Sequence, residues 1–368
     1  MKSAQTAHKS PHPIWLSKPL ASSFDKGNLS WLQWTSLITV LFSMTSLSGV
    51  VNKLDYQPQL LGELGLFEPM PVRTRTVFVD QRDGSLTLIP TSATGSAPSE
   101  LAIDNRDAVP FKTTRLAKGF TLYAEEIQDI RAFGSETELE QVQGEYLRRL
   151  ARTRADVELT QEHHRLGALQ GKLLDSDGST VIYDYFAQFG ESEPAAVNFA
   201  LGTAATDVRG KCAEVIRAMS RSAKGAFTSA TTVHALVGDT FYDLLINHEQ
   251  VVATFTGWAA ATDLRQGAAF NAFTYGGITF HNYRGTDDNS TVAIADDEAK
   301  FFPIGASGVF KKAMAPAEFG PFVQTLGMDT YALNIPDRDR QAWTRGEIYS
   351  YPLYICQQPQ VLRKGTSS

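Results

Sequence analysis

A chain of 368 residues, 43% hydrophobic and 20% charged, holds enough apolar mass for one large core or two smaller ones. It is neither a disordered acidic chain nor a coiled coil. Its formal charge of −6 argues against a sequence-reading nucleic-acid binder, which needs a basic stripe to neutralise phosphates. That charge is compatible with a container for DNA, whose inner wall gains from not attracting the duplex. The two cysteines, Cys212 and Cys356, lie far apart in no metal-ligand spacing. They make no disulfide framework, suit a reducing cytoplasm, and are expected as small buried hydrophobes.

Residues 1–43 differ from the rest, with four lysines, Asp25 as the one acidic residue, and a local charge of +3. The remainder carries −9. Pro11, Pro13 and Pro19 among scattered serines predict poorly ordered chain. The apolar run from Leu37 to Phe42 is too short to span a bilayer. Gln33, Thr35, Ser36 and Thr39 dilute it and no A-x-A site follows, so a signal peptide is disfavoured. The expectation is an arm, or an over-extended reading frame whose start lies near Met44.

From Met44 to Arg73 apolar and turn residues mix without sustained period, predicting an extended or partly helical arm. Thr74 to Asp80 is β-branched and aromatic; Asp83-Gly84 supplies a turn, and Leu86, Leu88 and Ile89 continue a return strand. Pro90 to Ser99 reads as a flexible tip, and Gly119 to Tyr123 leads back to the body. A long hairpin over 74–123 is marginal alone in water, so it is expected to lie on a neighbour. Ser135 and Glu138 form a capping box opening a long helix. Leu139, Val142, Tyr146, Leu150 and Val157 make one apolar stripe, resumed by Leu166 and Leu169. The spacing predicts a rod over 137–170, lying across a sheet.

Asp177-Gly178 predicts a second hairpin, Lys172–Asp175 against Thr180–Phe186. Asp207 caps a helix with Cys212, Val215, Ile216 and Met219 on one face, and Asp239 precedes another with Tyr242, Leu245 and Ile246. Thr231–Val237, Ile278–Tyr283 and Val292–Ala295 are predicted strands. The alternating tail from Glu347 to Val361, with Pro352 and Pro359, predicts an edge strand.

No phosphate loop, dinucleotide fingerprint, nucleophile elbow, H-E-x-x-H pair or C-x-x-C motif occurs. His163 and His164 point about 100° apart on the long helix and are read as part of a solvated face. Asp287-Asp288-Asn289 and Asp296-Asp297-Glu298 are the best carboxylate clusters; neither has calcium-loop spacing, and both are read as turns. No catalytic, cofactor-binding or metal-ligating residue is expected, and no cofactor.

Several strings in this order carry a resemblance. They are Met44-Thr45-Ser46-Leu47 with Asn52-Lys53-Leu54; Gly62-Glu63-Leu64-Gly65-Leu66-Phe67-Glu68; and Arg131-Ala132-Phe133-Gly134-Ser135-Glu136-Thr137-Glu138. Gly167-Ala168, Leu174-Asp175-Ser176-Asp177-Gly178 and Phe302-Pro303-Ile304-Gly305 follow. The last are Ala315-Pro316-Ala317-Glu318-Phe319 and Tyr351-Pro352-Leu353-Tyr354-Ile355-Cys356 before Pro359. From about residue 38 onward the chain resembles the major capsid protein E family, the lambda-type head proteins of tailed phages.

The resemblance implies an α+β, Hong Kong 97-like capsid fold. Residues 1–43 would be an extension outside the family, 44–73 an N-terminal arm and 74–123 an extended loop. Residues 124–204 would form a peripheral domain with spine helix 137–170, 205–335 an axial domain, and 336–368 a return to the peripheral domain. The implied function is a major head protein that self-assembles, as hexamers and pentamers, into an icosahedral shell around double-stranded DNA. It would be assembled in the bacterial host cytoplasm and reside in the virion. Implied partners are other copies, a separate scaffolding protein, a portal and a decoration protein, with no membrane. Some members crosslink through an extended-loop lysine; no lysine lies between Thr76 and Phe111, so no such bond is expected. Alternatives are a shell of the same fold holding protein cargo, a metal-dependent hydrolase using the acidic clusters near Asp287 and Asp296, and a secreted binding protein.

Overall fold

The structure, a computed structural model, describes residues 48, 60–82, 106–128, 138–256, 272–283, 292–340 and 342–368. The chain enters with α1 (Leu60–Glu63), β1 (Glu68–Pro71) and the hairpin strands β2 (Thr76–Arg82) and β3 (Arg106–Lys112). β4 (Leu116–Tyr123), α2 (Ala124–Gln128) and the long α3 (Glu138–Gln170) follow, then β5 (Lys172–Leu174), β6 (Val181–Asp184), α4 (Tyr185–Gln188) and β7 (Val197–Asn198). Next come α5 (Val208–Ser222), β8 (Thr232–Val237), α6 (Asp239–Asn247), α7 (Glu249–Thr256), β9 (Phe273–Tyr275) and β10 (Ile278–Asn282). The remainder is all strand and 3-10 turn: β11 (Glu298–Ile304), β12 (Phe310–Met314), β13 (Tyr331–Pro336), β14 (Trp343–Ser350), β15 (Pro352–Cys356) and β16 (Arg363–Thr366).

A six-stranded mixed sheet has the order β7-β16-β11-β8-β10-β9. Along β8 the side chains alternate, as a strand covered on both faces requires. Val233, Ala235 and Val237 enter a core under α5, α6 and α7, while Leu236 enters a second core facing α3. Pro303 sits within β11, although proline is disfavoured in a central strand. β16 pairs with β11 only from Glu298 to Phe301, so by residue 303 β8 is the sole ladder neighbour and the missing N–H is harmless. Asp207 caps α5 as expected, its carboxylate accepting from Gly210 N at 2.9 Å.

Two three-stranded sheets, β1-β12-β15 and β13-β14-β4, lie beside the long helix α3. At 33 residues α3 is about 50 Å long. Its first half buries Tyr146, Leu150 and Val157 against Leu122, Ala332 and Ile348. The single-stripe expectation fails in the second half, where residues 164–169 are all buried and so are Gln161 and Glu162. Gly171 ends the helix at φ 80°; a Cβ there would lie 2.3 Å from the Phe186 ring.

Three expectations change. Val292–Ala295 is irregular backbone; Val292 and Ile294 are buried in the core, and the strand starts at Glu298 after the Asp296-Asp297 turn. The tail is no single edge strand: β14 lies centrally between β13 and β4, while β15, opened by Pro352, is an edge. β16 then enters the six-stranded sheet between β7 and β11. Finally, β2 pairs with β3, Thr76 opposite Lys112 through Arg82 opposite Arg106. The Asp83-Gly84 turn and the Leu86–Ile89 strand lie outside the described residues, as do Ser135 and residues 1–43.

Sheet edges are covered by hydroxyls. Ala332 N on β13 donates to Ser48 Oγ at 2.9 Å, and that hydroxyl donates to Ala332 O at 3.4 Å. On β15 the carbonyl of Pro352 accepts from Thr114 Oγ1 at 2.7 Å, and that of Tyr354 from Tyr185 Oη.

Candidate functional site

The hairpin β2–β3 is bracketed by two irregular connectors, 72–75 and 113–115. Pro110 has no N–H and suits the non-hydrogen-bonded pair it makes with Phe78. Val77, Val79 and Phe111 then point inward and are buried, while Phe78 points outward and is 66% exposed. Phe111 is fully buried among aromatic rings, with centroids 5.3 Å from Tyr183, 6.0 Å from Tyr185 and 5.7 Å from Phe189. Tyr183 Oη accepts from Lys112 N at 2.8 Å and donates to Lys112 O at 3.0 Å, covering that strand edge. The root of the hairpin therefore packs on its own chain. The expectation of a hairpin lying wholly on a neighbour missed this because Phe111 meets partners more than seventy residues away.

Both connectors converge on one carboxylate. Arg75, just before β2, donates from Nη2 to Glu318 Oε2 at 3.0 Å. Arg115, just before β4, donates from Nε and Nη2 to Glu318 Oε1 at 3.2 and 3.1 Å. The Arg75 guanidinium stands 5.4 Å over the Tyr351 ring and that of Arg115 5.0 Å over Tyr349. The hydrogen bonds from Arg75 and Arg115 hold the Glu318 carboxyl below its ordinary range, against a smaller desolvation effect. Thr113 N, meanwhile, donates to Arg75 O at 2.9 Å, stitching the connectors together. Glu318 was legible as part of a family string but not in this role; the sequence signal is an arginine just outside the hairpin on each side.

A second node lies under the arm. Glu162 on α3 is fully buried, and its Oε1 accepts from Leu61 N of α1 at 2.8 Å. Arg165 Nη1 donates to its Oε2 at 3.0 Å and Tyr283 Oη to its Oε1 at 3.4 Å. Gln161 Oε1 accepts from Tyr354 Oη at 2.9 Å, and its amide donates to Ser350 Oγ at 3.1 Å. Burial raises the Glu162 carboxyl pKa, and the Arg165 charge opposes it. These partners come from three distant segments, around residues 61, 283 and 350–354, which is why the polar half of α3 is buried.

The histidine expectation is corrected for one ring. His163 Nε2 lies 3.0 Å from Asp175 O, but His164 is buried rather than solvated, and burial, then the neighbouring His163, pull it down to about 4. An unforeseen pair sits on neighbouring strands, His234 Nδ1 2.9 Å from His281 Nε2. Asp287-Asp288-Asn289 lies outside the described residues. Asp296 and Asp297 form a turn whose carbonyls accept from Phe241 N and Ser367 N, and the Glu298 carboxylate is taken by Lys300 and Lys364. Among the described residues no three His, Cys, Asp or Glu side chains gather as a metal cage, and no helix is long and apolar enough to cross a membrane. Cys212 and Cys356 are buried free thiols.

Comparison with known proteins agrees with this geometry. The profile of the family described as phage major capsid protein E matches residues 43–367. The major capsid protein of Salmonella phage Felix O1 (isolate Felix O1-VT1) is 25% identical over 352 residues, covering 87% of this chain and 95% of the relative. A crystal structure described as a capsid protein of a prophage from E. coli CFT073 aligns with a TM-score of 0.52 at 12% identity. That alignment covers 89% of this chain and 99% of the other. The long helix across small sheets, the two-stranded hairpin and the six-stranded α/β sheet are thus the Hong Kong 97-type fold. With the profile spanning nearly all of the sequence and the fold in agreement, the chain belongs to the phage major capsid protein E family and is a shell protein of phage heads.

Proposed function

We propose that copies of this chain assemble as hexamers and pentamers of an icosahedral procapsid that encloses duplex DNA without reading its sequence. The carrying observation is the hairpin: pinned at its root by Phe111, it presents Phe78 on its outer face, 66% exposed. A two-stranded ribbon is marginal alone in water, so one that carries an exposed aromatic suits burial against another copy. In this reading residues 44–73 are the arm, 74–123 the extended loop, 124–204 the peripheral domain with its spine helix, and 205–335 the axial domain. The segment 336–368 serves both, β14 and β15 beside α3 and β16 in the six-stranded sheet. Assembly free energy comes from buried inter-subunit area, and the chain performs no bond chemistry.

Expansion on DNA packaging is a rigid-body rearrangement in which arm and hairpin act as hinged clamps. Scaffolding protein and portal are separate chains, and a decoration protein or non-covalent clamping replaces any lysine crosslink. Assembly takes place in the host cytoplasm, and the product resides in the virion. The test is sedimentation and negative-stain electron microscopy of the purified chain, alone and with its scaffold. Closed particles far heavier than 40.4 kDa are expected. Deleting 76–111 should leave a folded subunit without stable shells; normal shells from that deletion would overturn the clamp role.

A further inference from the structure

Among the contacts that hold the hairpin root, two differ sharply in physical kind. Phe111 is a dry aromatic pin, buried among Tyr183, Tyr185 and Phe189. Glu318, with Arg75 and Arg115, is an exposed ionic clasp; the three side chains keep 35%, 45% and 49% of their surface in water. A buried ring leaves its site only at large free-energy cost, whereas exposed ion pairs are worth little and are screened by salt. The clasp also grips both connectors at once, beside the backbone bonds from Val72 N to Met314 O and from Thr114 N to Pro352 O, so a tilt of the hairpin about the Phe111 pin has to strain it.

The geometry points to the Glu318–Arg75–Arg115 clasp as an angle-setting latch for the hairpin, closed in one hairpin setting and opened in another. This rests on the shell reading, in which identical chains occupy non-equivalent positions and the hairpin must adopt more than one tilt. The pin keeps the hairpin attached through the change, and the tyrosine rings of residues 349 and 351 give the freed guanidiniums somewhere to stay. Opening is then cheap and reversible, as an adjustable joint requires.

The experiment is hydrogen exchange of the full-length subunit, read at the amides of residues 76–79, 109, 111 and 112, in low and high salt. In the native chain, exchange at these amides should rise about five-fold in high salt, the factor equivalent to ~1 kcal/mol. Glu318→Gln should exchange at the high-salt rate in either buffer, with β8 and β10 unchanged as internal controls. Should Glu318→Gln fold poorly, the Arg75→Gln/Arg115→Gln pair provides the same test from the other side. Native-like, salt-responsive exchange in a folded clasp variant overturns the latch. Particle size by electron microscopy separates the two ideas. Shells that become mixed in diameter in Glu318→Gln support the latch. Uniform shells with native exchange remove it and leave the shell reading intact. A salt-responsive clasp in a chain that never forms shells with its scaffold removes the shell reading instead.

Discussion

Glu162→Ala removes the carboxylate on which arm, spine helix and core converge. Leu61 N, now 2.8 Å from that oxygen, loses its acceptor at a buried site, and Arg165 keeps its Tyr354 ring but loses its ion pair with residue 162. Deleting one member of a buried ion pair typically destabilises by ~3–5 kcal/mol. Glu162→Gln retains an oxygen for Leu61 and loses the charge, so about 1–3 kcal/mol is expected, the range for a disturbed buried hydrogen bond. The informative control is Glu162→Leu with Arg165→Met, which removes both charges at similar volume and should recover the part of the loss due to the broken ion pair, while Leu61 N stays without its acceptor. The assay is urea unfolding of the subunit by circular dichroism, with limited proteolysis near residues 60–66 reporting arm release. An alanine variant within about 1 kcal/mol of the native chain, or a double variant no better than the single, would refute this account.

Phe111→Ala should lose about 3–5 kcal/mol and expose the hairpin root to protease, because a fully buried ring leaves a cavity between three aromatics. Lowering the pH should destabilise the subunit through His164 and His281, both pulled down to about 4, chiefly by burial. The unfolded chain binds those protons below about 6.5, so the stability is full above that pH and lost as it falls toward 4. Urea midpoints at several pH values check this, and His164→Leu should flatten the slope. Cys356, its thiol pushed up to about 12 by burial, should resist alkylation at pH 8 in the native subunit and react once unfolded. Gly171→Ala should destabilise by more than ~1 kcal/mol, since φ is positive and Phe186 fills the Cβ position; an unchanged melting curve would contradict it.

What the sequence made legible is what local spacing encodes. The apolar stripe from Tyr146 to Val157 and the Asp207 cap located α3 and α5. The family strings located the fold. What stayed hidden depends on contacts between remote residues. His164 reads as solvent-facing beside charged neighbours, and nothing nearby in sequence announces Leu61 or Tyr283 as partners of the adjacent Glu162. Pro303 advertised a break and sits in a strand because β16 stops short of it. Val292 and Ile294 carry strand-like spacing yet form a buried strap without a ladder. The hinge arginines could be placed on either side of the hairpin, but Glu318 lies some two hundred residues beyond them.

The hydroxyls of Ser48, Thr114, Tyr183 and Tyr185 bear on crowding. A shell brings many identical chains to very high local concentration, where any open strand edge is a template for unplanned strand addition. Each of these side chains occupies backbone groups that a foreign strand would need, on β13, β15 and β3. Because the occupant is a side chain of the same polypeptide, the edge is closed before any second copy arrives. At those positions a second copy finds the backbone already bonded, which disfavours strand-on-strand addition there.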